Sequence, residues 1–382
     1  MPLLWNALSP HRRREGRTLS DVSTGIAAQP GAGIHGAGDR VLLIAPSWVG
    51  DAILSEPLVA EVHRQGVAEA IDVVAPPWCG PVYARMRGIG RVIDAPATHR
   101  QLGLHARRAL GRSLAERRYT HAYVLPNTWK SALVPYFARI PVRIGYVGEV
   151  RYGLLTNARK LDRKAAPQLV ARYAALALPR GHVMGALAPR LVPDQTNLGA
   201  AMHALRLSRE RPVAILCPGA EFGPAKRWPA EHFAALARRL ADDGYALWLI
   251  GSPNDHAAAA ALIAALGSLP RPVFDLTGRT DLGTAIDLMS VASLVVSNDS
   301  GLMHAAAAVD APLVALFGSS SPTYTPPLSP NARIAKIDIR CSPCFKRECP
   351  LGHFRCMRDL SPELVYNLAR TSAVSPAPAS SR

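Results

Sequence analysis

A chain of 382 residues, 49% hydrophobic and only 19% charged, is long enough for two globular domains that each bury a core. No uncharged apolar run of the roughly 18 residues a membrane span needs escapes interruption by proline or polar clusters; the longest uncharged stretch, 311–332, holds five prolines. The net charge of +16 is concentrated, with seventeen Lys/Arg against four Asp/Glu between positions 81 and 164, which asks for an acidic partner such as nucleic acid, anionic lipid or a phosphorylated glycan.

Residues 1–38, rich in Gly, Ala, Ser and Arg and without sustained periodicity, read as a disordered leader. The basic residues near the start (Arg12, Arg13, Arg14, Arg17) precede no apolar segment, so no secretory signal is expected and the chain is assigned to the cytoplasm. The Gly31-Ala32-Gly33-Ile34-His35-Gly36 run spells a dinucleotide fingerprint but precedes the first strand, which is the wrong context for one. From residue 40 strand-like and helix-like segments alternate, the pattern of a doubly wound parallel sheet. Strands are expected at 40–45, 70–75, 91–94, 119–125 and 142–146. The alternation lapses between 165 and 212, then resumes with strands at 213–217, 245–250, 272–276, 294–297, 312–317 and 332–337. The expected organisation is an α/β domain over 39–180, a connection over 181–211, a second α/β domain over 212–373 and a disordered tail over 374–382.

The run Ser293-Leu294-Val295-Val296-Ser297-Asn298-Asp299-Ser300-Gly301-Leu302-Met303-His304 reads as a buried strand ending in a polar turn that opens a helix. Asp299 or Ser300 can cap that helix, and Gly301 leaves room for close approach to the backbone. Free N–H groups at such a start attract anions, phosphates above all. In an open α/β sheet this corner, at the carboxyl end of a strand, is where ligands sit. Asp51 holds the corresponding place in the first half, after a tight Ser47-Trp48-Val49-Gly50 turn with a bulky tryptophan. In the second half the loop 216–229, its course set by two glycines and three prolines, projects Lys226 and Arg227 towards the edge that carries Asp299. A lysine there suits a diphosphate as a point charge.

Pro46-Ser47-Trp48-Val49-Gly50-Asp51, the stretch from Cys217 through Lys226 to Trp228, and Asn298-Asp299-Ser300-Gly301-Leu302-Met303-His304 together resemble the ADP-heptose-using branch of the inverting glycosyltransferase family nine. The likeness extends to Val124-Leu125-Pro126-Asn127, Lys130-Ser131-Ala132-Leu133-Val134-Pro135 and Arg151-Tyr152-Gly153-Leu154-Leu155, and spans residues 40–370. It implies a GT-B fold, two Rossmann-like doubly wound domains facing across a cleft, the first binding acceptor and the second ADP-heptose. It also implies transfer of L-glycero-D-manno-heptose onto the first heptose of heptosyl-Kdo2-lipid A in lipopolysaccharide inner-core synthesis. By the same resemblance Asp51 is the general base and Lys226 contacts the diphosphate, with Glu221 in the same donor loop. Asp299 bonds the heptose, and Ser300, Gly301 and Leu302 offer backbone donors to the phosphates, with His304 one turn on. The acidic acceptor, at the inner face of the inner membrane, would meet the basic region, with Ser47, Trp48, Lys130, Arg143 and Arg151 expected to touch it.

Inversion needs one base and one stabilised leaving group, and general-base help is worth about 10²–10⁴-fold. The sequence contains no Asp-x-Asp pair, so no obligatory metal is expected for catalysis. Cys341, Cys344, Cys349 and Cys356 have C-x2-C-x4-C-x6-C spacing, suited to a structural zinc or an iron–sulfur cluster, or to a thiol-rich loop without a ligand. Cys79 and Cys217 stand alone in apolar surroundings and are expected to be buried thiols. Other readings rank lower: a family-nine enzyme with a different core acceptor, then a sugar-nucleotide epimerase of similar plan, then a basic nucleic-acid-binding protein. The last would need aromatics interleaved with the basic residues, and only 6% of the chain is aromatic, so no nucleic acid partner is expected.

Overall fold

Short runs such as Val-Leu-Leu-Ile at 41–44 and Leu-Val-Val-Ser-Asn at 294–298 are buried along their whole length. That is the signature of parallel strands covered on both faces. The structure, a computed structural model, describes residues 34–67, 70–96, 102–182, 184, 188–268 and 272–372. The first half contains β1 (Val41–Ile44), β2 (Ile71–Ala75), β3 (Ile89–Asp94), β4 (His121–Val124), β5 (Val142–Tyr146) and β6 (Asn157–Arg159). Its helices are α1 (Val49–Ile53), α2 (Glu56–Arg64), α3 (Gly80–Tyr83), α4 (Leu104–Ala115) and α5 (Leu133–Phe137). Two helices follow, α6 (Leu169–Leu176) and α7 (Gln195–Ala204). The second half contains β7 (Val213–Cys217), β8 (Ala246–Leu249), β9 (Phe274–Asp275), β10 (Leu294–Asn298), β11 (Leu313–Leu316) and β12 (Ala332–Ala335). Its helices are α8 (Ala230–Asp242), α9 (His256–Leu266), α10 (Leu282–Met289), α11 (Gly301–Ala308), α12 (Arg355–Arg358) and α13 (Pro362–Ser372).

Both sheets are parallel with the same winding: β3-β2-β1-β4-β5-β6 in the first and β12-β11-β10-β7-β8-β9 in the second. Counted within each half this is the 3-2-1-4-5-6 order, whose direction reverses between strands 1 and 4. The two switch points are therefore β1/β4 and β7/β10. Alternation along β1 sends Val41 and Leu43 into a core that continues into the second half, while Leu42 and Ile44 face a separate core that includes Leu114 of α4 and Val134 of α5. Hence α4 and α5 cover the face of the first sheet turned away from the second half.

The alternation anticipates the two-domain α/β plan but not β6, three residues with a single buried side chain at the sheet's edge, too short and polar to carry a strand signature. Part of the expected leader is ordered: the Ile34 amide donates to Gln65 at 2.9 Å and His35 bonds the Tyr123 hydroxyl at 2.6 Å. Residues 1–33 and the expected tail lie outside the described residues.

The halves are joined by more than the covalent connection. Along residues 190–192 the Arg190 amide donates to Glu56, the Leu191 amide to the Ala308 carbonyl and the Val192 amide to the Arg85 carbonyl. Arg85 of the first half grips Asp287 of α10 through Nε at 2.7 Å and Nη2 at 2.5 Å. Asp287 is fully buried and also accepts from the Asp194 amide and the Asn197 side chain. Removing one partner of such a pair leaves a buried charge uncompensated. Arg85→Ala is expected to lower unfolding free energy by about 3–5 kcal/mol in a denaturant titration, whereas Arg190→Ala, whose pair with Asp310 is exposed, should change it by about 0–1 kcal/mol.

Candidate active site

The second half's switch point is built by hydrogen bonds that a strand–loop–helix pattern does not reveal. Asn298, the last residue of β10, accepts from the Trp228 amide at 3.1 Å and donates to the Pro218 carbonyl at 2.9 Å. The loop after β7 is thereby pinned at both ends to the end of β10. Within it Lys226 Nζ reaches Asp299 Oδ2 at 2.5 Å, and the Ser320 hydroxyl donates to the same carboxylate oxygen. Asp299 is 4% exposed, so its charge is held by a cation and a hydroxyl and has little access to water.

Ser300 holds the N-cap position of α11 in extended conformation, but its side chain makes no capping bond. The expected cap from Asp299 or Ser300 is replaced by the Asp299–Lys226–Ser320 cluster. The opening N–H groups of α11 thus keep their capacity for an anion.

The cysteine-bearing segment braces this corner. Arg347 donates through Nε to the Phe222 carbonyl at 2.6 Å, and its own carbonyl accepts from the Ala225 amide at 3.0 Å. Gly223, at φ +150°, passes so close that a Cβ there would lie 2.6 Å from the Arg347 carbonyl oxygen. On the other side the Phe345 amide donates to Ser319, and Ser342 Oγ to Gly318, next to Ser320. Cys356 is buried, and its thiol is pushed up by burial and by the proximity of Cys341, Cys344 and Cys349. Cys349 is shifted the other way, first by the Phe354 amide, which donates to its sulfur at 3.4 Å. Cys79 and Cys217 are buried thiols, as their surroundings predict.

The first half meets this corner through α1. A Cβ on Gly301 would stand 2.8 Å from the Val49 Cβ, and one on Gly50 would stand 2.9 Å from the His304 ring. Two glycines thus let α1 and α11 approach backbone to backbone. Asp51, in the first turn of α1, comes under the field of Lys226. Its carboxyl is pushed up to about 6 by burial, with Lys226 opposing. Tyr173 and Tyr324, one from each half, are close enough for their phenols to feel Asp51. His304 is buried, and burial pushes its imidazole down to about 4, so the ring is neutral at pH 7. It packs at the α1–α11 contact.

The other expected site residues divide. Ser47 and Trp48 sit at the mouth of α1; the Ser47 carbonyl accepts from Trp78 Nε1 at 2.9 Å. Trp48, Trp78 and Trp129, following β1, β2 and β4, are 45%, 44% and 40% exposed along the carboxyl edge of the first sheet. Lys130 lies beside Trp129 in the short 3-10 turn. Glu221 is exposed and accepts from Asn254 at 3.2 Å. Arg151 departs from the expectation of an acceptor contact. It is 1% exposed, and its guanidinium is spent on the Tyr146 and Pro126 carbonyls, each at 2.5 Å, with Ser131 and Asn127. It ties the loop after β4 to the loop after β5. Arg143 is second in β5, towards the amino end, and donates to the Leu154 and Ile140 carbonyls. It belongs to the α4–α5 face and not to the cleft.

Sequence reasoning passed over Asn298 and Ser320 as ligands of the corner, Arg347 as its brace, and Trp78 and Trp129 as edge aromatics. The tryptophans had a usable signal, since each follows a strand. Arg347 had none, because its partners are more than a hundred residues away.

Asp51 also supplies a test. With its carboxyl at about 6 against an ordinary 3.8, the folded protein holds a proton that the unfolded chain releases in that window. Stability is lost as pH rises through the window, and the loss is complete above about 6. Asp51→Asn should therefore raise Tm at pH 8, with the gain shrinking towards pH 4. Equal gains at both pH values in a melting series would contradict the buried carboxylate.

A family model described as glycosyltransferase family 9 (heptosyltransferase) matches residues 107–355. Lipopolysaccharide heptosyltransferase 2 of Escherichia coli (strain K12) is 44% identical over 334 residues, 85% of this chain and 96% of that protein. Lipooligosaccharide heptosyltransferase 2 of Haemophilus influenzae is 42% identical over 337 residues, 85% of this chain and 97% of that protein. The solved structure of E. coli ADP-heptose LPS heptosyltransferase II superposes with a TM-score of 0.78 at 42% identity, covering 87% of this chain and 98% of that one.

Proposed function

The chain belongs to glycosyltransferase family 9, the heptosyltransferases, and we propose that it moves L-glycero-D-manno-heptose from ADP-heptose onto the first heptose of heptosyl-Kdo2-lipid A, with inversion. The observation that carries the mechanism is the meeting of both switch points: Asp51 from one half stands within the field of Lys226 of the other, which is itself paired with Asp299.

In this reading Asp51 takes the proton of the acceptor hydroxyl as that oxygen attacks the anomeric carbon. A base whose carboxyl lies near 6 is deprotonated at pH 7 yet stronger than an ordinary aspartate. The leaving ADP departs from the other face of the sugar. Lys226 and the opening N–H groups of α11, from Gly301 and Leu302 on, stabilise its diphosphate by fixed charge and dipole. Asp299, once Lys226 engages phosphate, is free to bond a heptose hydroxyl, with Ser320 holding its other contact. Ser300 and Glu221 border the donor. Trp48, Trp78 and Trp129 offer flat apolar faces for acceptor sugars, with Ser47 and Lys130 beside them.

The finer partner reading rests on charge. Between α4 and α5 lies an open groove of about 930 Å³ lined by His105, Arg108, Arg112, Tyr136, Arg139 and Arg143, and α4 itself contains no acidic residue. Among the described residues no helix is long and apolar enough to cross a membrane. A peripheral position on the inner leaflet, held by this basic groove, brings the enzyme to its lipid-linked acceptor. Among the described residues no three of Cys341, Cys344, Cys349 and Cys356 bring their sulfurs within 4.8 Å of one another; zinc or an iron–sulfur cluster there would have to gather them, and would act structurally by stiffening the segment whose Arg347 braces the donor loop.

Purified protein given ADP-heptose and mono-heptosylated Kdo2-lipid A should yield the doubly heptosylated product by mass spectrometry, with or without chelator. Asp51→Asn should lower kcat by about 10²–10⁴-fold, and wild-type kcat/KM should fall with an acid limb near pH 6 as Asp51 protonates. Undiminished turnover in that variant would remove the base. The double change Arg108→Glu, Arg112→Glu should weaken sedimentation with anionic vesicles and turnover of vesicle-embedded acceptor, while leaving turnover of a delipidated, soluble acceptor intact.

A further inference from the structure

At the edge of the first sheet opposite the active site, a turn and two strand starts bring three metal-competent side chains together. Asp39 stands two residues before β1, His121 opens β4, and His35 immediately precedes the turn that the Asp39 amide closes on the Gly36 carbonyl. His35 Nδ1 is 3.1 Å from Asp39 Oδ2, and His121 Nδ1 is 3.4 Å from Asp39 Oδ1. The two imidazole centroids are 4.5 Å apart, and ligating atoms of all three residues lie within 4.8 Å of one another. The His35 side chain is fully buried, and those of His121 and Asp39 are 14% and 18% exposed.

We propose that His35, Asp39 and His121 form a divalent transition-metal site, of the class zinc occupies, that clips residues 34–39 to the amino edge of the first sheet. Two imidazoles and a carboxylate are a donor set that zinc takes with water as fourth ligand. Metal–ligand bonds of about 2.0–2.1 Å in a tetrahedron separate neighbouring donors by about 3.3 Å; the two histidine–aspartate contacts, at 3.1 and 3.4 Å, go to the two different oxygens of Asp39, and a turn of that carboxylate would present one oxygen to both imidazoles. The outer shell is also built. The Tyr123 hydroxyl sits 2.6 Å from His35 Nε2, so it can accept that N–H and leave Nδ1 its lone pair for the ion. Asp39 is oriented by the Gly36 amide at 3.0 Å and the Thr120 hydroxyl at 2.9 Å.

The competing account is a hydrogen-bonded cluster that binds nothing, and the cysteine segment is a rival destination for any added ion. Untagged full-length protein, stripped with chelator and dialysed, is titrated with Zn²⁺ by calorimetry and with Co²⁺ by visible absorption. One equivalent is expected to bind in a Cys344→Ser, Cys349→Ser double variant, with a ligand-field spectrum lacking a thiolate-to-cobalt charge-transfer band. That binding should weaken by about 10–100-fold in Tyr123→Phe, which removes only the outer partner, and by more in Asp39→Asn and His121→Gln. Circular dichroism of the metal-free variants establishes that they are folded, and the Tyr123→Phe arm stands if either ligand variant is not. Loss of binding in the cysteine variant, wild-type affinity in the ligand and Tyr123 variants, or no binding by the wild type would each overturn the site.

Discussion

The active corner depends on one steric constraint: α1 and α11 cross with Gly50 and Gly301 at their point of contact. With a Cβ at either position the backbones could not come this close, since Val49 and the His304 ring already occupy the space. That approach brings Asp51, held by a helix of the first sheet, under the field of Lys226, held by a loop of the second. Burial at this corner lifts the Asp51 carboxyl, with Lys226 opposing. The cost appears as instability, because a carboxylate kept from water opposes folding once it is charged.

Near that contact and beyond it, several buried charged groups are held by partners from other parts of the chain. Asp299 is compensated by Lys226 and Ser320, and Asp287 by Arg85. The buried Arg151 is surrounded by carbonyl and side-chain oxygens. Such groups are expensive when unpaired, so they favour one relative arrangement of the loops that carry them. The cysteine-bearing segment adds a mechanical element: Arg347 holds the loop after β7 on one side, and Phe345 and Ser342 hold the strand end beside Ser320 on the other. Its link to chemistry runs through position, whatever its sulfurs bind.

Much of this was legible beforehand because the chemistry is local in the chain. Asp299 sits just after a buried strand, where a parallel sheet presents its carboxyl edge, Lys226 sits in the loop that follows another, and Asp51 sits in the first turn of the helix that follows a third. Charge alone was a poorer guide. Arg143 and Arg151 were both placed at the acceptor by the basic region they share, yet one lies at the amino end of its strand and the other is buried. A sequence shows that a residue is cationic but not whether its guanidinium meets carbonyls or solvent. The expected leader failed at its last residues for a related reason: Ile34 and His35 are ordered by Gln65 and Tyr123, partners 31 and 88 positions away.

Hydrophobic alternation and the turn residues after each strand were sufficient by themselves to determine two parallel α/β halves, because strand period, burial on both faces and turn chemistry are properties of a few neighbouring residues. The motifs were sufficient to mark the corners at which Asp51, Lys226 and Asp299 stand. Only the tertiary structure decided which corners meet, that two glycines set the distance, and which arginines are free to touch a partner. Those outcomes depend on contacts between residues far apart in the chain, and local pattern carries no record of them.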